Sequence, residues 1–146
     1  MTKPYAEVIG DPIAQSKSPA IHNFWLGKLG VAADYRASHV VPAGLADYIK
    51  DRHCDPDWRG CNVTMPHKQA VMALLDRIDP QAQQVGAVNT VVRGGDGSLT
   101  GYNTDVAGFL EPLLPLLARP HLFRMARVFG AGGGARAIVA ALAEAG

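Results

Sequence analysis

A mostly parallel α/β domain with an antiparallel hairpin, followed by the start of a Rossmann-type domain, is the fold that three features of this sequence predict. Strand-like runs alternate with helix-like segments in the order βαβαβα. A Gly94-Gly95-Asp96-Gly97 turn separates two further apolar runs, and a glycine-rich turn near the end lies between an apolar pair and a helical stretch.

The elements follow in order. Tyr5 to Ile9 alternates and stops at Gly10-Asp11-Pro12, which reads as a strand. Ala20 to Leu29 reads as a helix, with Ser18 as N-cap, Pro19 at the first helical position and Gly30 as terminator. Tyr35 to Val41 is the second strand, Ala43 to Asp51 the second helix, Gly60 to Thr64 the third strand and Pro66 to Leu75 the third helix. Ala87 to Arg93 and Ser98 to Tyr102 form the hairpin, because glycine and aspartate adopt positive φ at little cost. A helix over Thr104 to about Leu117 contains Pro112 and Pro115, each lacking a backbone donor, so a kink or an early end is expected. Val128-Phe129 reads as a short strand leading through a glycine-rich turn into a helix over Arg136 to Ala145, with Gly146 as its stop.

Composition sets the class. The 146 residues are 48% hydrophobic and 18% charged, with a net charge of +1, enough to bury one substantial core and without the basic surplus of a nucleic-acid binder. No apolar run reaches membrane-spanning length, and Lys3, Asp11 and Lys17 interrupt the N-terminal apolar stretches, so neither a membrane partner nor a signal peptide is expected and the cytoplasm is the expected compartment. Cys54 and Cys61 form no CxxC and have no matching histidine pair, and His22, His39, His53, His67 and His121 lack ligand spacing; no metal site is expected. Trp25 and Trp58 are assigned to core or interdomain packing.

Chemistry is signalled at the expected carboxyl ends of the strands, where open α/β sheets bind ligands. Asn62-Val63-Thr64-Met65-Pro66-His67-Lys68 and Gly101-Tyr102-Asn103-Thr104-Asp105 each place an ionisable residue at an expected helix start. A lysine there opposes the positive end of the helix dipole, which calls for a reason other than folding. Burial and the dipole disfavour the Lys68 ammonium, whereas an Asp105 carboxylate nearby favours it. The pair is read as a proton donor with its orienting acid, against the blander readings of a solvated lysine and an aspartate that only caps its own helix with Asn103 or Thr104. Asn62 and Thr64, two apart at a strand end, share one face and can share one ligand, although turn stabilisation would also account for them. Asn89, on a strand, would be satisfied by a ligand hydroxyl, since an amide both donates and accepts. Ser16 and Ser18 bracket Lys17 before a helix start, a place for a cap or for an anion. Gly130, Gly132 and Ala135 fit the G-x-G-x-x-G/A dinucleotide fingerprint; the residue that would select between ribose and 2′-phosphate lies about 20 positions further on.

Five ordered motifs make the resemblance specific: Gly10-Asp11-Pro12-Ile13 through Ser16-Lys17-Ser18-Pro19-Ala20-Ile21-His22-Asn23, then Asn62 to Lys68, Gly86-Ala87-Val88-Asn89-Thr90, Asn103-Thr104-Asp105 through Gly108-Phe109, and Gly130 to Arg136. Across nearly its whole length the chain resembles the shikimate dehydrogenases. The resemblance implies a shikimate-type substrate-binding domain over 1–103, a linking helical segment over 104–124 and a truncated start of a dinucleotide-binding domain over 125–146. It implies NADP-dependent, reversible reduction of 3-dehydroshikimate to shikimate in aromatic amino-acid biosynthesis. Ser16 and Ser18 would hold the substrate carboxylate; Asn62, Thr64, Lys68, Asn89 and Asp105 would surround the ring hydroxyls and carbonyl, with Lys68 and Asp105 catalytic; Gly130, Ala131, Gly132, Gly133, Gly134 and Ala135 would hold the cofactor.

Family members continue through more βα units and a returning helical segment. The isolated 146-residue chain is therefore expected to be poorly active or inactive, with 127–146 docking elsewhere, swapping between chains or becoming mobile. A non-catalytic shikimate- or quinate-binding module and a quinate/shikimate dehydrogenase of broader specificity are the competing functions, and a homodimer stays open as a partner.

Overall fold

The computed structural model describes residues 3–119 and 125–145. His121, the end of the linking segment and the Gly146 helix stop lie outside the described residues.

A single six-stranded sheet organises the chain, in the order β2-β1-β3-β5-β6-β4. Its strands are β1 (Tyr5–Gly10), β2 (Asp34–His39), β3 (Trp58–Val63), β4 (Arg77–Ile78), β5 (Thr90–Arg93) and β6 (Leu99–Tyr102). β1 pairs in parallel with β2 and β3, and β4 with β6, while β5 runs antiparallel to both β3 and β6. The mostly parallel α/β architecture and the antiparallel hairpin are thus as the sequence predicts, with the tight Gly94–Ser98 turn closed by backbone bonds.

The helices are α1 (Ser18–Lys28), α2 (Leu45–His53), α3 (Pro80–Val85), α4 (Asp105–Leu110), α5 (Leu114–Leu117) and α6 (Gly133–Glu144). Several expectations need correction. Helix α1 starts one residue early: Lys17 is its N-cap without a side-chain cap, and the Ser16 hydroxyl, not Ser18, accepts the Ser18 N–H at 3.3 Å. The α-helix expected over Pro66 to Leu75 is a turn followed by a 3-10 helix at Ala70–Leu74. The cause is competition for its carbonyls: Met65 O is taken by the Asp11 N–H and Lys68 O by the Val88 N–H, so an i→i+4 ladder cannot run from them. Lys68 is therefore not at an α-helix N-terminus, and the dipole argument for it does not hold. Asn89 precedes β5 instead of lying within a strand. The Thr104 to Leu117 helix is split into α4 and α5, with Pro112 in the intervening turn and Pro115 in the first turn of α5. Val128-Phe129 forms no strand; Phe129 is 92% exposed and has no sheet neighbour to pair with.

Two elements were missed. α3 carries a full signature, with Asp79 accepting the Gln81 N–H, Pro80 in the first turn and Gly86 left-handed at the C-cap. β4 has two residues and no periodic signal.

Packing differs between the faces of the sheet. On one, Tyr5, Ile9, Trp58, Cys61, Val63, Val91 and Leu99 join Leu45 and Ile49 of α2 and Val71 of the 3-10 helix in the main core. Here Gly101 is required by proximity, since a Cβ would come within 2.6 Å of Leu75 and 2.7 Å of Val88. On the other, α1 covers only Val8, Ile13 and Tyr35 and has no buried residue of its own. Trp58 is fully buried, as assigned; Trp25 is 52% exposed, so core packing is not its role in this chain. Helix α6 docks on α3 and α4 through Val85, Ala87, Val106, Ala137 and Ala141. Among the described residues no helix is long and apolar enough to cross a membrane, and no cluster of three metal-ligating side chains occurs.

Candidate functional site

The amine and the acid meet. Lys68 Nζ donates to Asp105 Oδ2 at 2.5 Å, with the two side chains 18% and 31% exposed. Each is held from its own side. The Lys68 carbonyl is tied to Val88 in the turn after β3, and the Asp105 N–H is capped by Asn103 Oδ1 at 3.0 Å. Asn103 is in turn buried and anchored by its amide on the Ala87 carbonyl. The capping that sequence offered as the bland reading of Asp105 is thus performed on Asp105 by Asn103, leaving the Asp105 carboxylate free to face Lys68.

Asn89 completes this centre. Its Nδ2 donates to Asp105 Oδ1 and to Thr104 Oγ1, both at 2.8 Å, while its Oδ1 accepts from the Thr104 N–H at 3.0 Å and the Thr90 hydroxyl at 2.9 Å. All the bonding positions of that amide are engaged within the protein. Asn62 joins through Thr90, donating from Nδ2 to Thr90 Oγ1 at 3.2 Å and accepting on Oδ1 from the Tyr35 hydroxyl at 2.5 Å. Burial pushes the Tyr35 hydroxyl well above the ordinary tyrosine range, with smaller contributions from Cys61 and Glu7, so it stays protonated and donates.

Thr64 divides two cavities. One, of about 230 Å³, is lined by Ser16, Ser18, Thr64 and Met65 together with Ile13 and Gln15. The other, of about 440 Å³, is lined by Thr64, Lys68 and Gln69 on one wall and Gly132, Gly133 and Gly134 on the other. The structure therefore brings Asn62, Lys68, Asn89 and Asp105 into one hydrogen-bonded group; Ser16 and Ser18 line the smaller cavity with Thr64, and none of those four residues lines it. His67 belongs elsewhere, being buried with Nε2 at 2.6 Å from the Val40 carbonyl.

The glycine-rich turn seats on the lysine. A Cβ at Gly133 would lie 2.9 Å from Lys68 Cβ and 3.2 Å from Ala87 Cβ, so only glycine allows this approach. Gly130 has φ +121°, and Gly132 caps α6 without a side chain or an acidic residue in the first turn. A twelve-residue helix that starts this way presents free N–H groups and a positive dipole end. Sequence reasoning missed Tyr35, Thr90 and Thr104, three hydroxyls whose importance rests on contacts with residues remote in the chain; Thr90 and Thr104 do stand next to Asn89 and Asp105 in their motifs.

The fold and site define an α/β domain with an amine–carboxylate pair at the carboxyl edge of its sheet. More particularly, residues 8–91 match the family model for the shikimate dehydrogenase substrate binding domain, and the chain belongs to that family. A shikimate dehydrogenase (NADP(+)) of Sphingopyxis alaskensis is 58% identical over 97% of this chain and 51% of its own length. The shikimate 5-dehydrogenase of Thermus thermophilus, solved in complex with NADP(H) and shikimate, superposes with a TM-score of 0.86 at 43% identity, over 98% of this chain and 53% of that one. The ligand-free 5-ketofructose reductase of a Gluconobacter strain also superposes, with a TM-score of 0.82 at 35% identity, over all of this chain and 51% of that one. The chain spans about half the length of the relatives it matches.

Proposed function

We propose that the polypeptide containing these residues is an NADP-dependent shikimate dehydrogenase, which reduces 3-dehydroshikimate to shikimate reversibly. One observation carries the reading: an ammonium and a carboxylate in contact at 2.5 Å, the ammonium lining a cavity whose opposite wall is a glycine-rich helix start. NADPH, when bound, supplies the hydride. Gly130 to Ala135 would hold it, and the uncapped, acid-free start of α6 fits a pyrophosphate.

Lys68 gives its proton to the carbonyl oxygen as that oxygen gains charge, and takes one from the hydroxyl in the reverse direction. Asp105 keeps the ammonium aimed and Asn89 keeps Asp105 aimed. Asn62 and Thr64 bond the ring hydroxyls, and Asn89 does so by exchanging its Thr104 partner. Ser16 and Ser18 receive the substrate carboxylate at the start of α1, whose first turn likewise lacks an acidic residue and a side-chain cap. On this reading 1–103 binds substrate, 104–124 links and 125–146 opens the cofactor domain; the enzyme works in the cytoplasm, and the 146-residue chain alone turns over poorly.

The test follows NADPH formation from shikimate by the longest natural polypeptide that contains these residues, beside calorimetric titration of shikimate into the 146-residue chain. Oxidation by the longer polypeptide, with Lys68→Ala lowering kcat by roughly a hundredfold to ten-thousandfold, is the expected result. Binding with no oxidation would select a non-catalytic module instead. The structural likeness to a 5-ketofructose reductase favours including a ketosugar and quinate in the same assay, since this scaffold also occurs in a protein named for another substrate. A homodimer would appear as a doubled mass in sedimentation.

A further inference from the structure

The hydrogen bonds around Asp105 form one directed chain, and its direction is forced. Only a backbone N–H can sit at Thr104 N, so the atom of Asn89 facing it is the carbonyl oxygen, and Nδ2 faces the Asp105 carboxylate. The Thr90 hydroxyl lies 2.9 Å from that same Asn89 oxygen and must donate to it. Having given its proton there, Thr90 can only accept from Asn62, which places Nδ2 toward Thr90 and Oδ1 toward Tyr35. Tyr35 must then donate. The orientation of every amide from Asp105 to Tyr35 is thus dictated from the Asp105 end, by the carboxylate and the Thr104 N–H, and the phenol, able to donate or accept, follows it.

Tyr35 is itself held from three directions. Asn23 of α1 bonds both its backbone N–H, at 2.9 Å, and its carbonyl, at 2.8 Å. The His22 ring stacks on it with centroids 4.0 Å apart and planes 9° apart, and His22 Nδ1 lies 2.9 Å from the Ser18 carbonyl. The His22-Asn23 part of the first motif, which has no other role in the site, therefore ties the serine-bearing start of α1 to Tyr35.

We propose that Tyr35 and Thr90 are positioning residues, whose hydroxyls hold the Asn62 amide in a single orientation and join it to the Lys68–Asp105 pair. The consequence for binding is specific. With one Nδ2 hydrogen and one Oδ1 lone pair already committed, Asn62 offers a ligand one donor and one acceptor in known places; released, it offers either in either place. The inference rests on the proposed role of Asn62 in binding shikimate.

The test is a double-mutant cycle in the longest natural polypeptide, with shikimate as the probe. Tyr35→Phe removes one oxygen and should raise the shikimate KM by roughly fivefold to tenfold, the worth of one lost hydrogen bond, with a smaller fall in kcat and no change in the NADP KM. Thr90→Val should do the same from the other strand, and thermal melting reports whether either variant has lost its fold. In an Asn62→Ala background Tyr35→Phe should add nothing, because it acts through that amide, whereas Thr90→Val should keep only the part of its effect that runs through Asn89. Full additivity, or a Tyr35→Phe KM equal to the parent, overturns the proposal. An Asn62→Ala variant with unchanged KM overturns it together with the binding role of Asn62. If no shikimate turnover occurs at all, the functional reading fails, and the orientation is still read from the Asn62 side-chain NH2 resonances in the 146-residue chain. Shifted or averaged signals in Tyr35→Phe support it, and unchanged ones overturn it.

Discussion

The two faces of the sheet solve different problems. On the α2 side almost every residue from the central strands is apolar and buried, and the one carboxylate, Glu7, is enclosed by Arg52, Ser38 and Tyr48. On the α1 side edge strand β2 and central strands β3 and β5 present Tyr35, Asn62 and Thr90, linked to each other, beside Val92 at 43% and Tyr102 at 38% exposure. The first face is built for stability, because each apolar group is taken out of water. The second keeps polar groups oriented, with Asn62 and Thr90 only half-buried. Since successive strand residues alternate faces, both sets come from the same strands: in β3, Cys61 and Val63 serve the core while Asn62 serves the site.

Substitutions can break this division. The largest effect is expected at Leu99→Ala on the closed face, about 3 kcal/mol of stability through a cavity its neighbours cannot fill, measured by urea denaturation. A loss below about 1 kcal/mol would show that this face is not the tight core described.

Glu7 sharpens the contrast through pH. Burial alone would raise its pKa, but the hydrogen bonds from Arg52, Ser38 and Tyr48 outweigh burial and hold it below its ordinary value of 4.5. A lowered folded-state value means that the unfolded chain binds the proton more readily. The stabilisation is therefore complete above pH 4.5 and disappears as pH falls from there through the lower folded-state value. Melting temperatures across that window should fall less steeply for Glu7→Gln than for the parent chain; equal slopes would remove Glu7 as the acid-sensitive group. Smallest of all, Val92→Thr on the open face should change stability by less than about 0.5 kcal/mol, and a loss the size of Leu99→Ala would mean the face is covered.

Much of this was legible in the sequence because it is local. The first strand and helix, the hairpin turn and the residues of the amine–acid pair all follow from periodicity, glycine and proline chemistry or motif spacing. The α3 signature at Asp79, Pro80 and Gly86 is equally local. What failed depended on distant partners. The helix expected from Pro66 gave way because Asp11 and Val88 claim its carbonyls, and the expected strand at Val128 has nothing beside it to complete a ladder.

Alone, the sequence determined the alternation of strands and helices, the hydrophobic faces and the kinds of side chain available at the strand ends, since these depend on neighbours a few residues apart. Tertiary structure decided that Lys68 touches Asp105 and that the Tyr35, Thr90 and Thr104 hydroxyls set the two amides. The Lys68–Asp105, Tyr35–Asn62 and Asn62–Thr90 contacts join residues remote in the chain, and only the order and register of the strands bring them within bonding distance.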